Sequence, residues 1–283
     1  MCGFDSGSHG NVADAIDNLK AGSGLSEEDI PVLLAALLSG SRRVERVPLS
    51  CCAVWIKRYG TERTSRWIVL QRMIANLIGA PFLRPSPAVD DEAMADREVR
   101  RNGQFSNNGI PTAPIIYASG SAVVFGDVGF TVAQQLKALA RQDPKAHDEL
   151  LVLCATELGR LHAKGLCHGR PFPRDMFVRE SRIGFMDFEE EPDSVMPLAT
   201  AQARDIWLLF LQLASRARLG KETHDRAFEA WSGTAPADAA AELRKLTGFL
   251  GAFLWLARLI GRVHMGSDLR QFIMATSYLK HAS

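Results

Sequence analysis

The chain has 283 residues and a formal net charge of +1, with 47% hydrophobic and 23% charged residues. This length and balance predict a soluble globular protein with a substantial core and give no electrostatic reason to expect a nucleic-acid partner. The five cysteines lack CxxC spacing. That argues for a reducing, cytoplasmic compartment and against a disulfide framework or a zinc site.

The first part of the chain predicts a polar segment, followed by a helix and two strands. Residues 1–24 are rich in glycine and serine, which predicts a flexible segment without a secretory signal. A capped helix is expected over Ile30–Leu38. Val44–Val47 and Cys52–Ile56 predict a pair of strands, and the second strand leads directly into Lys57. Taken alone, a lysine at the end of a strand is typical of a protein surface.

Two helices of different character are predicted next. Thr61–Gly79 carries many large apolar residues and predicts an apolar insertion helix. Asp90–Phe105 predicts a charged amphipathic helix, which is followed by Gly109-Ile110-Pro111. This second helix contains Glu98 and, as a competing acidic position, Glu92.

A hairpin, a tight turn and a long helix follow. Ile115–Tyr117 and Ala122–Phe125 predict a pair of strands, and Gly126–Gly129 predicts the turn after it. Val132–Leu139 predicts a helix. A longer helix is expected to begin at Asp143-Pro144 and to end at Gly165.

The stretch after this helix contains several polar residues that could take part in catalysis or metal binding. His168 to Asp175 predict a loop, and Met176–Val178 with Ile183–Met186 predict a hairpin. Asp175 precedes the first strand and Asp187 follows the second, so antiparallel pairing brings both carboxylates to one end. Two convergent carboxylates suit Mg²⁺, which takes one or two carboxylates together with substrate phosphates.

This stretch resembles the catalytic and metal loops of the protein-kinase-like fold. It is most similar to the small bacterial branch that includes the lipopolysaccharide core (Kdo and heptose) kinases. The matching residues are His168-Gly169-Arg170, then Asp175 five positions after Arg170, then Asp187-Phe188-Glu189 at the end of the hairpin. Arg170 stands where that family places its catalytic aspartate.

The resemblance implies a set of ligands for ATP and Mg²⁺. Lys57, paired with Glu98, would hold the α- and β-phosphates. Asp175 and Asp187 would bind the metal. Backbone groups from Phe125 to Asp127 would receive the adenine.

The resemblance also implies roles within the loop. His168 would pack and hydrogen-bond to the backbone of the metal loop, and Asp205 would hold the backbone of the catalytic loop. Arg170 cannot act as a general base, because its guanidinium stays protonated. It would instead stabilise transition-state charge or recognise an anionic acceptor. Asp175 is then the alternative proton acceptor.

The remainder of the chain predicts helices. Asp205 lies at the start of an apolar helix over Ile206–Leu213, and more helices are predicted over Leu219–Trp231, Pro236–Leu246, Thr247–Ile260 and Ser267–His281. The apolar run Leu246–Ala257 is too short to span a membrane, since a spanning helix needs about 20 residues. It is either a buried helix or an interfacial contact with a membrane, with basic residues at both ends.

Strands come early and helices late, which predicts an α+β fold. By resemblance the fold is protein-kinase-like: residues 25–126 form a small β-rich N-lobe and residues 127–283 a larger helical C-lobe. The implied function is ATP- and Mg²⁺-dependent phosphate transfer to a sugar or glycolipid hydroxyl at the cytoplasmic face of the inner membrane. Two alternatives stay open: transfer of another nucleotide fragment, and a nucleotide-binding pseudokinase or scaffold.

Overall fold

A four-stranded antiparallel sheet and a larger set of helices make up the structure, a computed structural model that describes residues 25–50, 52–60 and 81–283. The segment expected to be flexible, residues 1–24, and the helix expected over Thr61–Gly79 lie outside the described residues. The fold is α+β, with a small sheet unit and a larger helical unit, so the predicted fold class is confirmed.

The chain folds into two compact units, and each unit is built from several separate segments of the chain. Among the described residues, the sheet unit comprises 25–50, 52–60, Val89–Val99 and Ala113–Asp127, and the helical unit comprises 81–88, Arg100–Thr112 and Val128–Ser283. The division predicted between residues 126 and 127 lies one residue from the last of these boundaries. Residues 100–112, expected in the N-lobe, pack with the helical unit.

Strands β1 to β4 form the sheet and cover Val44–Pro48, Ala53–Arg58, Ile115–Ser119 and Ala122–Gly126. Their spatial order is β1-β2-β4-β3, and neighbouring strands are antiparallel. Val54 and Ile56 alternate along β2 and are fully buried against helix α1, Asp29–Ser39. Because β2 has a strand on either side, the charged residues Lys57 and Arg58 are also largely removed from water.

Helices α2 to α9 cover Asp91–Asn107, Val132–Gln142, Pro144–Ala163, Leu198–Arg216, Lys221–Ser232, Ala237–Gly251, Leu254–Val263 and Ser267–Ala282. Strands β5 and β6, Met176–Arg179 and Arg182–Phe185, form a separate antiparallel hairpin. Side chains fix where two of these helices begin. Thr131 forms a capping box at α3, and Asp143 caps α4 with Pro144 in its first turn.

The core of the helical unit lies around helix α4. Leu151 and Leu158 on that helix are fully buried, as are Phe210 on α5 and Trp231 on α6. Burying a large apolar side chain contributes roughly 1.5–3 kcal/mol. The helix that leads into the polar loop is therefore held firmly by its neighbours.

The predicted break between Leu246 and Thr247 is wrong, because helix α7 continues to Gly251. Thr247 is buried within the helix, and its hydroxyl donates to the carbonyl oxygen of Leu243 at 2.9 Å. A threonine can lie within a helix when its hydroxyl donates to the carbonyl oxygen four residues before it.

The apolar run Leu246–Ala257 divides between two environments. Leu246 and Leu250 are buried, whereas Phe253 and Trp255 are exposed. No single helix within the described ranges has the length and apolar composition to cross a membrane. Helices α7 and α8 meet that test only when taken together across a bend of 48°.

Candidate functional site

In the sheet unit, strand β2 and helix α2 bring a lysine and a glutamate together. Lys57 Nζ lies 2.6 Å from Glu98 Oε2, and both side chains are buried. The Tyr59 hydroxyl donates to the same glutamate oxygen, and its ring lies 5.4 Å below the lysine nitrogen. Glu92, the competing position, is exposed. The pairing of Lys57 with Glu98 over Glu92 is therefore the one found in the structure.

The predicted adenine contacts lie at the end of strand β4. The Gly126 N–H donates to the carbonyl oxygen of Pro114 at 2.8 Å, and the Asp127 N–H donates to that of Ala53 at 3.2 Å. The Asp127 side chain accepts from Arg46 at 3.2 Å, and Phe125 is buried. These two N–H groups are thus engaged within the sheet unit, and adenine binding at Phe125 and Asp127 stays a prediction.

In the helical unit, Asp205 holds the backbone of the polar loop. Its carboxylate accepts the His168 N–H at 2.5 Å and the Gly169 N–H at 2.8 Å, and it is fully buried. His162 Nε2 lies 3.4 Å from the same carboxylate. A carboxylate that accepts two adjacent N–H groups fixes the peptide between them. The contact that the family resemblance implies for Asp205 is present.

Gly169 allows the loop to make this turn. Its φ is +100°, in a region that residues with a Cβ atom rarely adopt. A Cβ atom at this position would lie 2.5 Å from Cβ of Glu190. Glycine is thus required here both by backbone conformation and by the space available.

His168 is a buried, neutral side chain. Burial lowers its pKa to about 4, against the ordinary value of 6.5. Its Nε2 lies 3.1 Å from the Met186 carbonyl oxygen, while Nδ1 accepts the Arg170 N–H at 3.3 Å. Hence the proton is on Nε2, which donates to the metal loop. These contacts match the packing and backbone bonding that the resemblance implies for His168.

The hairpin of β5 and β6 brings Asp175 and Asp187 to one end. The Met186 N–H donates to the carbonyl oxygen of Asp175 at 3.0 Å, one step beyond the strand pair Met176 and Phe185. Asp187 has a φ of +68°, a left-handed conformation that aspartate tolerates better than most residues. The hairpin thus places the two carboxylates as the sequence predicts.

Arg170 lies between these two carboxylates. Its Nη2 is 2.7 Å from Asp187 Oδ2, and its Nε is 3.9 Å from Asp175 Oδ2. The more exposed Arg174 approaches Asp175 to 3.5 Å. The position of the family's catalytic aspartate is therefore filled by a cation that pairs with the predicted metal ligands.

Burial and charge determine how these groups titrate. Burial, and then repulsion by Asp187, raise the pKa of Asp175 to about 7, although Arg170 and Arg174 act in the opposite direction. Burial opposes the charge on Arg170, yet the two aspartates outweigh it and raise the pKa of its guanidinium. The arginine therefore stays charged, while Asp175 exchanges its proton near neutral pH.

The donor set at this end of the hairpin fits a divalent cation. Asp175 Oδ2 is buried and, within the described part of the chain, has no hydrogen-bond donor. A buried carboxylate oxygen that accepts no hydrogen bond, beside a second carboxylate, matches the oxygen ligands that Mg²⁺ prefers. The guanidinium of Arg170 competes for the same charges.

A second ion pair fixes the hairpin to helix α4, and sequence reasoning missed it. Arg182, in strand β6, donates through Nη2 to Glu157 Oε2 at 3.0 Å, and Glu157 is buried. The available signal was an acidic residue on the apolar face of a helix, beside Cys154 and Leu158. A charge in that place predicts a buried partner.

Sequence reasoning also missed Arg101, which supports the polar loop from helix α2. Its Nη2 donates to the Cys167 carbonyl oxygen at 2.5 Å, and its Nη1 lies 3.3 Å from Asp193. The guanidinium also lies 5.8 Å from the centre of the Phe105 ring. No sequence signal separates this arginine from the exposed Arg100 that precedes it.

No family model matches the sequence. Over 93 residues the chain is 30% identical to an uncharacterized protein of Haemophilus influenzae. The match covers 32% of this chain and 37% of that protein, so it spans little more than a third of the relative's length.

Among solved structures, the chain is similar to WaaP in complex with acyl carrier protein. The TM-score is 0.46 and the identity 14%, with 88% of this chain and 92% of that chain covered. A likeness at this level carries no argument about function.

Proposed function

We propose that the protein is an ATP- and Mg²⁺-dependent phosphotransferase of the protein-kinase-like type. The buried pair of Lys57 and Glu98 carries the proposal, because a strand lysine fixed by a helix glutamate is the phosphate-holding device of that class. The Asp205 contacts to the polar loop support it as well. The acceptor, a sugar or glycolipid hydroxyl met at the cytoplasmic face of the inner membrane, is proposed from the sequence resemblance alone.

In this proposal each of these side chains has a defined role. Lys57 contributes positive charge for the α- and β-phosphates, and Glu98 orients its ammonium group. Asp175 and Asp187 would hold Mg²⁺, which when bound supplies neutralisation of phosphate charge. In the alternative arrangement, Asp187 alone would hold the ion and Asp175 would accept the proton of the acceptor hydroxyl.

The ion pair of Arg170 with Asp187 favours a second candidate, a nucleotide-binding pseudokinase or scaffold. At 2.7 Å the guanidinium already satisfies the carboxylate that would hold the metal. Arg170 itself cannot remove a proton from an acceptor. A protein of this kind would bind nucleotide without transferring phosphate.

Nucleotide binding is the first test. We expect ATP with Mg²⁺ to raise the thermal midpoint more than ATP with EDTA. Asp187→Ala should remove the difference, whereas Asp193→Ala, at an exposed carboxylate outside the proposed metal ligands, is the control. Equal stabilisation with and without Mg²⁺ in the parent chain would contradict the metal assignment.

Label transfer then separates the two candidates. With [γ-³²P]ATP and a lipid extract of bacterial membranes as acceptor, phosphotransfer predicts label in the lipid fraction. The same assay with [α-³²P]ATP reports transfer of a nucleotide fragment instead. Tight Mg²⁺-dependent binding without label from either nucleotide would favour the pseudokinase.

A further inference from the structure

Helix α8, Leu254–Val263, carries an exposed apolar face. Trp255 is 67% exposed, Leu259 50% and Val263 90%, and these residues follow one another at intervals of four. Leu256 and Ile260 form a second exposed row beside them. Residues four apart lie on one side of a helix, so these five side chains form a continuous surface, here called the α8 face.

Side chains opposite the α8 face and along its border attach the helix to the protein. Leu254 and Ala257 are buried, and Arg258 donates to the Ser277 hydroxyl on helix α9 at 3.0 Å. The α8 face therefore points away from the core of the helical unit. Exposed apolar surface of this extent generally marks an interaction site on a soluble protein.

Charge on the helix identifies the class of partner. Arg258 and Arg262 lie next to each other along one border of the α8 face, and the sequence from Phe253 to Ser267 contains no acidic residue. A helix with an apolar face, an exposed tryptophan and bordering arginines has the properties of one that lies in a membrane interface. The arginines favour anionic lipid headgroups.

We propose that the α8 face docks on the surface of a bilayer that contains anionic phospholipid, with the helix lying in the interface plane. A second copy of the chain fits less well, because an antiparallel two-fold pairing of two α8 faces places their arginine borders, of like charge, on the same side. The proposal rests on exposure and charge within the helical unit. It does not depend on phosphate transfer.

Vesicle co-sedimentation tests the proposal with the full chain. We expect binding to phosphatidylcholine vesicles that contain about 30% phosphatidylglycerol, a composition chosen to give a negative surface potential. Leu259→Ser with Val263→Ser should weaken binding at least about tenfold, by loss of buried apolar surface. Arg258→Gln with Arg262→Gln should weaken it about tenfold to thirtyfold, at about 1 kcal/mol for each basic residue near the surface.

The control removes exposed apolar side chains elsewhere. Leu38→Ser with Phe130→Ser replaces residues that are 85% and 74% exposed and lie outside helix α8, and binding should be unchanged. Circular dichroism and the thermal midpoint confirm that each variant is folded.

Three results would overturn the proposal. The first is absence of binding to anionic vesicles, and the second is equal binding by the parent chain and the α8 variants. The third is a dimer in light scattering that the α8 substitutions dissociate, which would assign the face to a second copy.

Discussion

Arg170 Nη2 lies 2.7 Å from Asp187 Oδ2, and its Nε lies 3.9 Å from Asp175 Oδ2. One guanidinium therefore forms ion pairs with both predicted metal ligands. Two carboxylates in this proximity repel each other unless a cation lies near them. The chain supplies such a cation from its own sequence. A metal ion that binds there has to displace a positive charge that is covalently attached to the site.

Removal of that charge should improve metal binding. We expect Arg170→Gln to raise the affinity for Mn²⁺, measured by calorimetry without nucleotide, by about tenfold or more, since loss of a competing charge at this distance is worth more than about 1.4 kcal/mol in a partly buried site. Arg179→Gln, at the far end of strand β5 in the same hairpin, is the control and should leave the affinity unchanged. An unchanged affinity in Arg170→Gln would show that the arginine does not compete with the metal.

Removing one partner of the Lys57–Glu98 pair should lower the free energy of unfolding more than removing both partners. Lys57→Met leaves the glutamate charge buried, and we expect a loss of about 3–5 kcal/mol in the free energy of unfolding. Tyr59 still donates to that carboxylate and limits the loss. The double variant Lys57→Met with Glu98→Leu should recover part of the stability in urea denaturation. A double variant with the summed loss of the two single variants would indicate no coupling between the residues.

Two glycine-to-alanine substitutions should change the free energy of unfolding in opposite directions. Gly169→Ala places a methyl group 2.5 Å from Cβ of Glu190 at a φ of +100°, so we expect a loss of more than about 2 kcal/mol in the free energy of unfolding. Gly103 lies within helix α2, and nothing is within 4 Å of its added Cβ atom. Gly103→Ala should therefore stabilise by about 0.5–1 kcal/mol. The denaturation midpoints measure both, and a stabilised Gly169→Ala would contradict the described loop.

His168 should make the folded state sensitive to acid. Its folded pKa of about 4 lies below the ordinary value of 6.5, so between these pH values the unfolded chain binds the additional proton. Its contribution is fully present above pH 6.5 and is lost as the pH falls towards 4, by about 3 kcal/mol in all.

Comparison of the parent chain with His168→Phe isolates this effect. The difference between their free energies of unfolding should shrink as the pH falls from 6.5 to 4. Only the parent chain loses the stabilisation that the neutral His168 contributes. Asp175 titrates in the same interval with the opposite sign, and the subtraction removes its contribution. His281→Gln, at an exposed position, is the control. A difference that stays constant over this interval would contradict the buried neutral histidine.

Residue patterning predicted the elements well where apolar periodicity was strong. Strand β2 and helix α2 were expected within two residues of their ends, and the kinase resemblance implied Glu98 as the partner of Lys57. The hairpin pattern also predicted that Asp175 and Asp187 meet at one end. These features depend on local order along the chain, which sequence records directly.

The features that sequence missed depend on long side chains. Nothing in the spacing of Arg170 shows that its guanidinium turns back to Asp187, because an arginine reaches several ångströms in many directions. Arg101 and Arg182 are missed for the same reason. The end of helix α7 was misplaced because Thr247, a weak helix former, satisfies its hydroxyl on the preceding turn.

The anchoring of the hairpin determines which group has to move when a metal ion replaces Arg170 at the two carboxylates. Arg182 fixes strand β6 to the buried Glu157 on helix α4, and the Met186 N–H fixes the metal loop to Asp175. The backbone that carries both aspartates is thus held in place, and the mobile component is the side chain of Arg170. Release of the arginine by an incoming cation therefore needs a change of its side-chain rotamer and no rearrangement of the loop backbone.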